Sequence, residues 1–82
     1  MTYIVYILYS RHREKYYIGS TGDEINERLR RHNSNHKGFT GNASDWEVVY
    51  FEEFNNKTEA ISRETQIKKW KSRILLEKLI GV

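Results

Sequence analysis

The stretch that decides the fold is Tyr3-Ile4-Val5-Tyr6-Ile7-Leu8-Tyr9, in which every position carries an apolar or aromatic side chain. An extended segment of this kind is covered on both faces, so the pattern predicts a strand at the centre of a sheet. The polar residues 10–15 predict a turn, and residues 16–19 predict a second strand that returns antiparallel to the first. The first two strands are therefore expected to form a buried hairpin at the centre of the fold.

A first helix is predicted to begin at Thr21 or Asp23, either of which can cap it, and to end near Asn33. The spacing Thr21-x-x-Glu24 fits a capping box, in which each side chain bonds the backbone N–H group of the other residue. Residues 34–45 are rich in Asn, Gly and Ser, which predicts a mobile loop after this helix.

The second half of the chain predicts one more strand and two more helices. The strand covers residues 46–54, the second helix starts at Asn56 with Glu59 three positions later, and a short final helix covers about residues 72–80. The element order is therefore ββαβαα. The predicted fold class is α/β (α+β), with a small three-stranded, mostly antiparallel sheet flanked by helices.

The composition predicts one domain over residues 1–82 and excludes several classes of protein. There is no Cys, so neither disulfides nor zinc–thiolate sites hold the fold, and this usage is typical of the reducing cytoplasm that we expect as its location. No apolar run approaches the length of a membrane span and no signal peptide is recognised, so no membrane partner is expected.

Basic residues lie in three clusters, although the formal net charge is only +3. Clusters that fold onto one face bind phosphates, whereas charge alone favours ordinary solvated helix faces. The candidates for nucleic-acid contacts are Arg11, Arg13, Lys15, Arg31, Lys68, Lys69 and Lys71.

Glu64 is the most informative single residue. On a helical wheel it falls between Ala60 and Ile67, on the apolar face of the second predicted helix. Burying an unpaired carboxylate is costly, so Glu64 requires a basic partner, a tyrosine hydroxyl or a metal ion. The alternative is that Glu64 lies at the edge of the apolar face and reaches water.

Two further pairs of residues are candidates for the same site. Arg28 and His32 are four positions apart and project from one side of the first helix, where they suit phosphate binding and proton transfer. Tyr6 and Tyr17 lie on adjacent predicted strands, so their phenols can converge. Each pair also has an ordinary explanation, as a solvated helix flank or as core aromatics, and it is their joint occurrence that favours a site.

These residues resemble the motifs of the GIY-YIG nuclease superfamily. The second motif is intact at Tyr17-Ile18-Gly19, and the first is Ile4-Val5-Tyr6, with Ile4 where the family name has Gly. The segment Arg28-x-x-x-His32 is similar to the family helix with the catalytic arginine, and Glu64 matches the metal-binding glutamate.

The resemblance covers roughly residues 3–71 and is closest to small stand-alone bacterial members, similar to the amino-terminal domain of the UvrC excinuclease subunit. It implies a DNA endonuclease that hydrolyses phosphodiester bonds with one Mg²⁺ or Mn²⁺ ion held by Glu64, in DNA repair or recombination. DNA is then the expected partner, with a protein partner or a homo-oligomer supplying specificity. Two alternatives stay open, a non-cleaving nucleic-acid-binding module that retains the fold and a protein-interaction domain.

The resemblance also implies a role for each remaining site residue. Arg28 neutralises the scissile phosphate, Tyr6 activates a water molecule, and His32 passes the proton onward. Tyr17 positions the water, and the roles of the two tyrosines are interchangeable at this point. Gly19 is structural and allows the backbone to approach the site.

Overall fold

The computed structural model describes residues 2–34 and 44–82, so most of the predicted loop at residues 34–45 lies outside the described residues. The observed elements follow the predicted order ββαβαα: β1 (Tyr3–Ser10), β2 (Lys15–Thr21), α1 (Ile25–Asn33), β3 (Glu47–Phe54), α2 (Lys57–Trp70) and α3 (Arg73–Ile80).

The strand predicted to be central is central. The sheet has the order β2-β1-β3, and β1 pairs antiparallel with both neighbours. Because side chains alternate along a strand, β1 supplies one apolar layer to each face of the sheet. Val5 and Ile7 pack with α2 and α3, whereas Tyr6 and Leu8 pack with Trp46 beneath α1. The apolar run of β1 is therefore explained by burial on both sides.

Strand β2 lies at the edge of the sheet and sends its side chains to both faces. Tyr6 pairs with Gly19 and Leu8 with Tyr17, so the Tyr17 side chain lies on the α1 face. Ile18 and Ser20 alternate with these positions and lie on the α2 face. Groups on the two faces of the sheet can therefore approach each other around this edge strand.

The prediction for the start of α1 was wrong. The helix begins at Ile25 and Glu24 occupies the N-cap position, whose own side chain makes no capping hydrogen bond. Thr21 belongs to β2, where it pairs with Ile4, so it is too far back to cap α1. Its hydroxyl accepts a hydrogen bond of 2.9 Å from the backbone N–H of Asp23 and so forms a local turn in place of the capping box.

Helix α2 is capped by Asn56 as predicted, and α3 is also capped by a side chain. The Asn56 side chain accepts the Glu59 backbone N–H at 2.9 Å, and the Ser72 hydroxyl accepts the Leu75 N–H at 3.2 Å. Between the two helices, Lys71 has left-handed backbone geometry with φ of 48°. This residue turns the chain so that α3 packs beside α2 against the sheet.

Arg63 anchors α2 to β3 through an ion pair with Glu52. The guanidinium donates to both carboxylate oxygens at 3.0 Å, and the Tyr50 hydroxyl donates to the same carboxylate at 2.5 Å. The pair is only 23% exposed on each side chain, and the hydrogen bond from Arg63 holds the pKa of Glu52 below its ordinary value. The pair therefore contributes to stability and links it to pH.

Arg63→Met is expected to lower the free energy of unfolding by about 2 kcal/mol at pH 7, because it leaves a partly buried carboxylate without its partner. Since the pKa of Glu52 is lowered in the folded state, the contribution of the pair is present above the ordinary glutamate pKa and is lost as pH falls below it. Urea unfolding should show that the variant's free energy of unfolding lies below that of the wild type at pH 7, and that this difference is smaller at pH 4.

Arg30→Met is the matched control, because Arg30 forms an exposed ion pair with Glu27 on α1. Such a surface pair contributes little, so this variant should unfold like the wild type. A deficit for Arg63→Met that is the same at both pH values would contradict a role for the Glu52 charge.

Candidate active site

Tyr6, Tyr17 and His32 form one aromatic cluster beneath α1. The Tyr6 hydroxyl and the Nε2 atom of His32 share a hydrogen bond of 3.0 Å. The ring centroid of His32 lies 4.7 Å from that of Tyr17 and 5.9 Å from that of Tyr6, and the two tyrosine centroids are 6.4 Å apart. Tyr6 is 1% exposed and His32 is 8% exposed, whereas Tyr17 is half-buried. The two phenols thus flank one imidazole, and Tyr17 is the more accessible.

Arg28 and His32 project from the same side of α1, as their spacing predicts, and both line a depression with Arg31 and Ser34. The Arg28 side chain is half-buried beside Tyr6. Within the described part of the chain, the Nε atom of Arg28 is buried and has no hydrogen-bond partner. Burying such a donor unpaired is unfavourable, so this guanidinium is suited to an anionic oxygen that comes from outside the protein.

The electrostatic environment of Tyr6 contains charges from two helices. Burial raises the pKa of the Tyr6 phenol above its ordinary value, and this effect is larger than the opposing effect of the Arg28 guanidinium. Tyr17 and Glu64 also raise the pKa of Tyr6. Tyr6 therefore stays protonated at neutral pH, where its hydroxyl shares the hydrogen bond with Nε2 of His32.

Gly19 provides the space that the Tyr6 ring occupies. A Cβ atom built on Gly19 would lie 2.7 Å from the Tyr6 Oη atom, 2.9 Å from its Cζ atom and 3.0 Å from Cε1 of Tyr17. Contacts below 3.0 Å between such atoms are forbidden, so any side chain at this position displaces the phenol. The predicted structural role of Gly19 thus has a definite physical basis: the absence of a side chain on β2 lets the Tyr6 phenol lie against its backbone.

Glu64 approaches the same edge strand from the opposite face of the sheet. It lies between Ala60 and Ile67, which are 1% and 2% exposed, but its own side chain is 18% exposed. Its carboxylate accepts hydrogen bonds from the Ser20 hydroxyl and, at 2.6 Å, from the ammonium of Lys68. The sequence predicted a partner for Glu64, and the observed partners are a lysine and a serine.

Ser20 is a contact of the candidate site that sequence reasoning missed. It directly follows the Tyr17-Ile18-Gly19 motif, and its position in β2 places it on the face opposite Gly19. Successive side chains of a strand point to opposite faces of the sheet, so the residue after Gly19 lies on the face away from Tyr6, where the helix with Glu64 packs.

The donor set around Glu64 suits a divalent ion that keeps most of its water. Among residues 2–34 and 44–82, no group of three or more His, Cys, Asp or Glu side chains is arranged to hold a metal. Glu64 supplies one hard carboxylate with lone pairs beyond those used by Ser20 and Lys68. Mg²⁺ is commonly bound by one or two carboxylates, water and substrate oxygens, so Glu64 fits this ion as a single ligand.

The predicted nucleic-acid-binding residues lie in different places. Lys15, Lys68 and Lys71 line one groove between β2 and the two C-terminal helices. Lys69 lies outside that groove, in a separate depression on α2. Arg11 and Arg13 lie in the β1–β2 turn. Arg31 lies on α1, on the face of the sheet opposite that groove.

Tyr6→Phe is expected to reduce the loss of stability at alkaline pH. Since the folded-state pKa of Tyr6 is raised, its contribution to stability is complete below the ordinary tyrosine pKa of about 10 and is lost as pH rises above it. Urea unfolding at pH 8 and pH 10.5 should show a smaller decrease for the variant than for the wild type. If the variant loses as much stability between pH 8 and pH 10.5 as the wild type, Tyr6 is not the group responsible. At pH 8 the variant should be about 1 kcal/mol less stable than the wild type, because it lacks the hydrogen bond to His32.

Comparison with known proteins defines the class to which this fold and site belong. The family model of the GIY-YIG catalytic domain matches residues 2–78, which is most of the chain. The chain therefore belongs to the GIY-YIG family, whose domains are typically nucleases.

A solved structure shares the fold over almost the whole chain. The solution NMR structure of a UPF0213 protein from Bacillus halodurans superimposes with a TM-score of 0.63 at 26% sequence identity, covering 99% of this chain and 84% of that one. No curated protein matches the chain. In the part of the chain that the structure describes, helices are too short or too polar to cross a membrane.

Proposed function

We propose that this protein is a metal-dependent DNA endonuclease that hydrolyses phosphodiester bonds. The observation that carries the proposal is the buried Nε atom of Arg28, which has no partner among residues 2–34 and 44–82, beside the hydrogen-bonded pair of Tyr6 and His32. This arrangement supplies a cation for a phosphate and a path for a proton within one cluster, and it occurs in a domain of a nuclease-type family.

Arg28 would bind the scissile phosphate. The guanidinium fork can contact two phosphate oxygens at once. Charge builds up on these oxygens as the attacking water approaches phosphorus, so a fixed cation stabilises the transition state. The bound phosphate thereby offsets part of the cost of burying the Arg28 side chain.

The aromatic cluster would move the proton that the attacking water releases. The water oxygen forms a bond to phosphorus, the bond from phosphorus to the 3′ oxygen breaks, and the water proton passes through the cluster. The burial of Tyr6 supports an exchange of the two tyrosine roles, with Tyr17 beside the water and Tyr6 orienting His32. His32 lies 4.7 Å from the Tyr17 ring, measured between centroids, and is the proton acceptor in this scheme.

Glu64 would hold one Mg²⁺ or Mn²⁺ ion at the edge of β2. When bound, such an ion stabilises negative charge on the phosphoryl and leaving oxygens. Ser20 orients the carboxylate by donating to it, and Lys68 balances its charge in the protein alone. A setting in DNA repair or recombination, in the cytoplasm, is part of this proposal and is supported by the family and by the absence of cysteine.

The test is a cleavage assay on linear, branched and single-stranded DNA with Mg²⁺ or Mn²⁺, alongside the Glu64→Gln variant. Cleavage by the wild type that stops with a chelator, and that falls at least about a hundredfold in Glu64→Gln, is the expected result. Salt-sensitive DNA binding without cleavage would overturn the nuclease proposal in favour of a non-cleaving module. The absence of DNA binding would leave a protein-interaction domain as the explanation of the fold.

A further inference from the structure

A groove of about 300 Å³ lies on the α2 face of the sheet, outside the aromatic cluster. Its floor is apolar and includes Ile18, Ile67 and Leu76. Its rim is basic and includes Lys15, Lys71 and Arg73, and the lining as a whole has four basic residues against one acidic residue. The groove thus combines an apolar surface with a positive border.

Two residues with unfavourable backbone geometry border this groove. Glu14 has φ of 53° and Lys71 has φ of 48°, in a region that favours glycine. The Glu14 carbonyl accepts a hydrogen bond of 2.9 Å from Arg73, which joins the β1–β2 turn to α3 across the groove. Lys71 is exposed, so a lysine is held in a left-handed backbone conformation with its charge at the surface.

The surface chemistry of the groove matches a single nucleotide. A phosphate group suits the basic rim, and a nucleobase has an apolar face that suits the floor. The Tyr16 ring adds an aromatic wall, which the Arg73 guanidinium covers at 5.1 Å from the ring centroid. The backbone of an intact duplex would contact the lysines but would leave the apolar floor unmatched, because its bases are stacked inside.

The groove begins next to the candidate active site. Ile18 on its floor lies two residues from Ser20 on the same face of β2, which is about 7 Å along a strand. Lys68 belongs to both places, since it lines the groove and pairs with Glu64. A DNA strand with its phosphate at the active site can therefore place a neighbouring nucleotide in the groove.

We propose that this groove is a subsite for an unpaired nucleotide of the DNA strand, so that the preferred substrate has a single-stranded segment beside the scissile phosphate. This inference rests on the proposed function and adds the substrate class to it. Recognition comes from the base against Ile18 and from the phosphate on Lys71. The proposal assigns to the α2 face a role in choosing substrate, separate from the chemistry at Arg28.

The experiment is a binding measurement in the presence of a chelator, so that no cleavage occurs. Fluorescence anisotropy compares a blunt duplex with the same duplex carrying a short single-stranded overhang, whose first unpaired base is 2-aminopurine. The wild type is expected to bind the overhang DNA about tenfold more tightly and to change the 2-aminopurine emission. Equal affinity for the two DNAs, or an unchanged emission, would overturn the proposal.

Two variants separate the rim from the floor. Glycine suits the left-handed backbone at position 71, so Lys71→Gly should keep or raise the melting temperature. The same variant should reduce the slope of log affinity against log salt concentration by about 0.7 for the overhang DNA. Ile18→Thr keeps a strand-forming residue and should abolish the preference for the overhang. Lys69→Ala removes the same charge outside the groove and should keep that preference.

If Lys71→Gly lowers the affinity for the blunt duplex and for the overhang DNA by the same factor, the result would contradict the subsite. Because this readout needs no cleavage, the two proposals can fail separately. If the protein prefers the overhang DNA but does not cleave it, only the nuclease proposal is overturned. If it cleaves DNA without preferring the overhang, only the subsite proposal is overturned.

Discussion

Arg28→Met is expected to slow DNA cleavage by a factor of about 10² to 10³, the effect of removing one fixed donor from a transition-state anion. The same variant should be slightly more stable than the wild type, by about 1 kcal/mol, because it removes a buried donor for which the described residues supply no partner. Loss of activity together with a gain of stability is a signature that a merely structural arginine cannot give. Single-turnover cleavage rates and urea unfolding measure the two effects.

Arg31→Met is the control for this experiment. Arg31 is on the same helix and lines the same depression, but its side chain is 55% exposed and lies 4.0 Å from Asp23. Its removal should change cleavage by less than about tenfold, since exposed phosphate contacts mainly affect binding. Arg28→Lys tests the geometry of the fork, because it keeps the charge and loses the paired donors. An Arg28→Met enzyme that cleaves like the wild type would remove Arg28 from the proposed chemistry.

Gly19→Ala is expected to lower the free energy of unfolding by about 1–3 kcal/mol, the usual cost of forcing an extra group into a packed site. The new methyl group would overlap the Tyr6 hydroxyl and ring, so the phenol must leave its position beside His32. Cleavage should fall by about a hundredfold, because small displacements in an active site have effects of this size. Unfolding and single-turnover rates are again the measurements.

The double variant Gly19→Ala, Tyr6→Phe tests the cause. Removing the Tyr6 hydroxyl relieves the closest contact, 2.7 Å, so the double variant should regain part of the lost stability while staying slow. Gly81→Ala serves as the control, because Gly81 has φ of 97° and open space around its Cβ position. That variant should lose about 1 kcal/mol and cleave normally, which separates instability from damage to the site.

The sequence was sufficient for most of the fold because its signals are local and strong. The uninterrupted apolar run of β1 predicts a strand buried on both faces, and Asn56 with Glu59 predicts the start of α2. The start of α1 was mispredicted because Thr21 satisfies both a cap and a strand position. The pairing of Thr21 with Ile4, which is a tertiary contact, decided between them.

The candidate site was predicted less completely, since its contacts join distant segments. The spacing of Arg28 and His32 predicts that they share a face, but it does not predict that Nε of Arg28 is buried with no partner in the described part of the chain. Lys68 is four residues from Glu64 and was predicted only as a phosphate ligand, although it pairs with that carboxylate. The space above Gly19 depends on the orientation of the Tyr6 ring, which no local pattern specifies.

The hydrogen bond from Ser20 to Glu64 also has a consequence during protein synthesis. It joins residues 44 positions apart, and the helix that carries Glu64 leaves the ribosome after both tyrosines and Arg28. The entropic cost of closing so long a loop is offset only by the contacts that α2 forms when it packs on the sheet. A nascent or prematurely terminated chain that lacks α2 therefore has neither the carboxylate nor one of the two cores. The candidate site is therefore completed only when α2 has packed on the sheet.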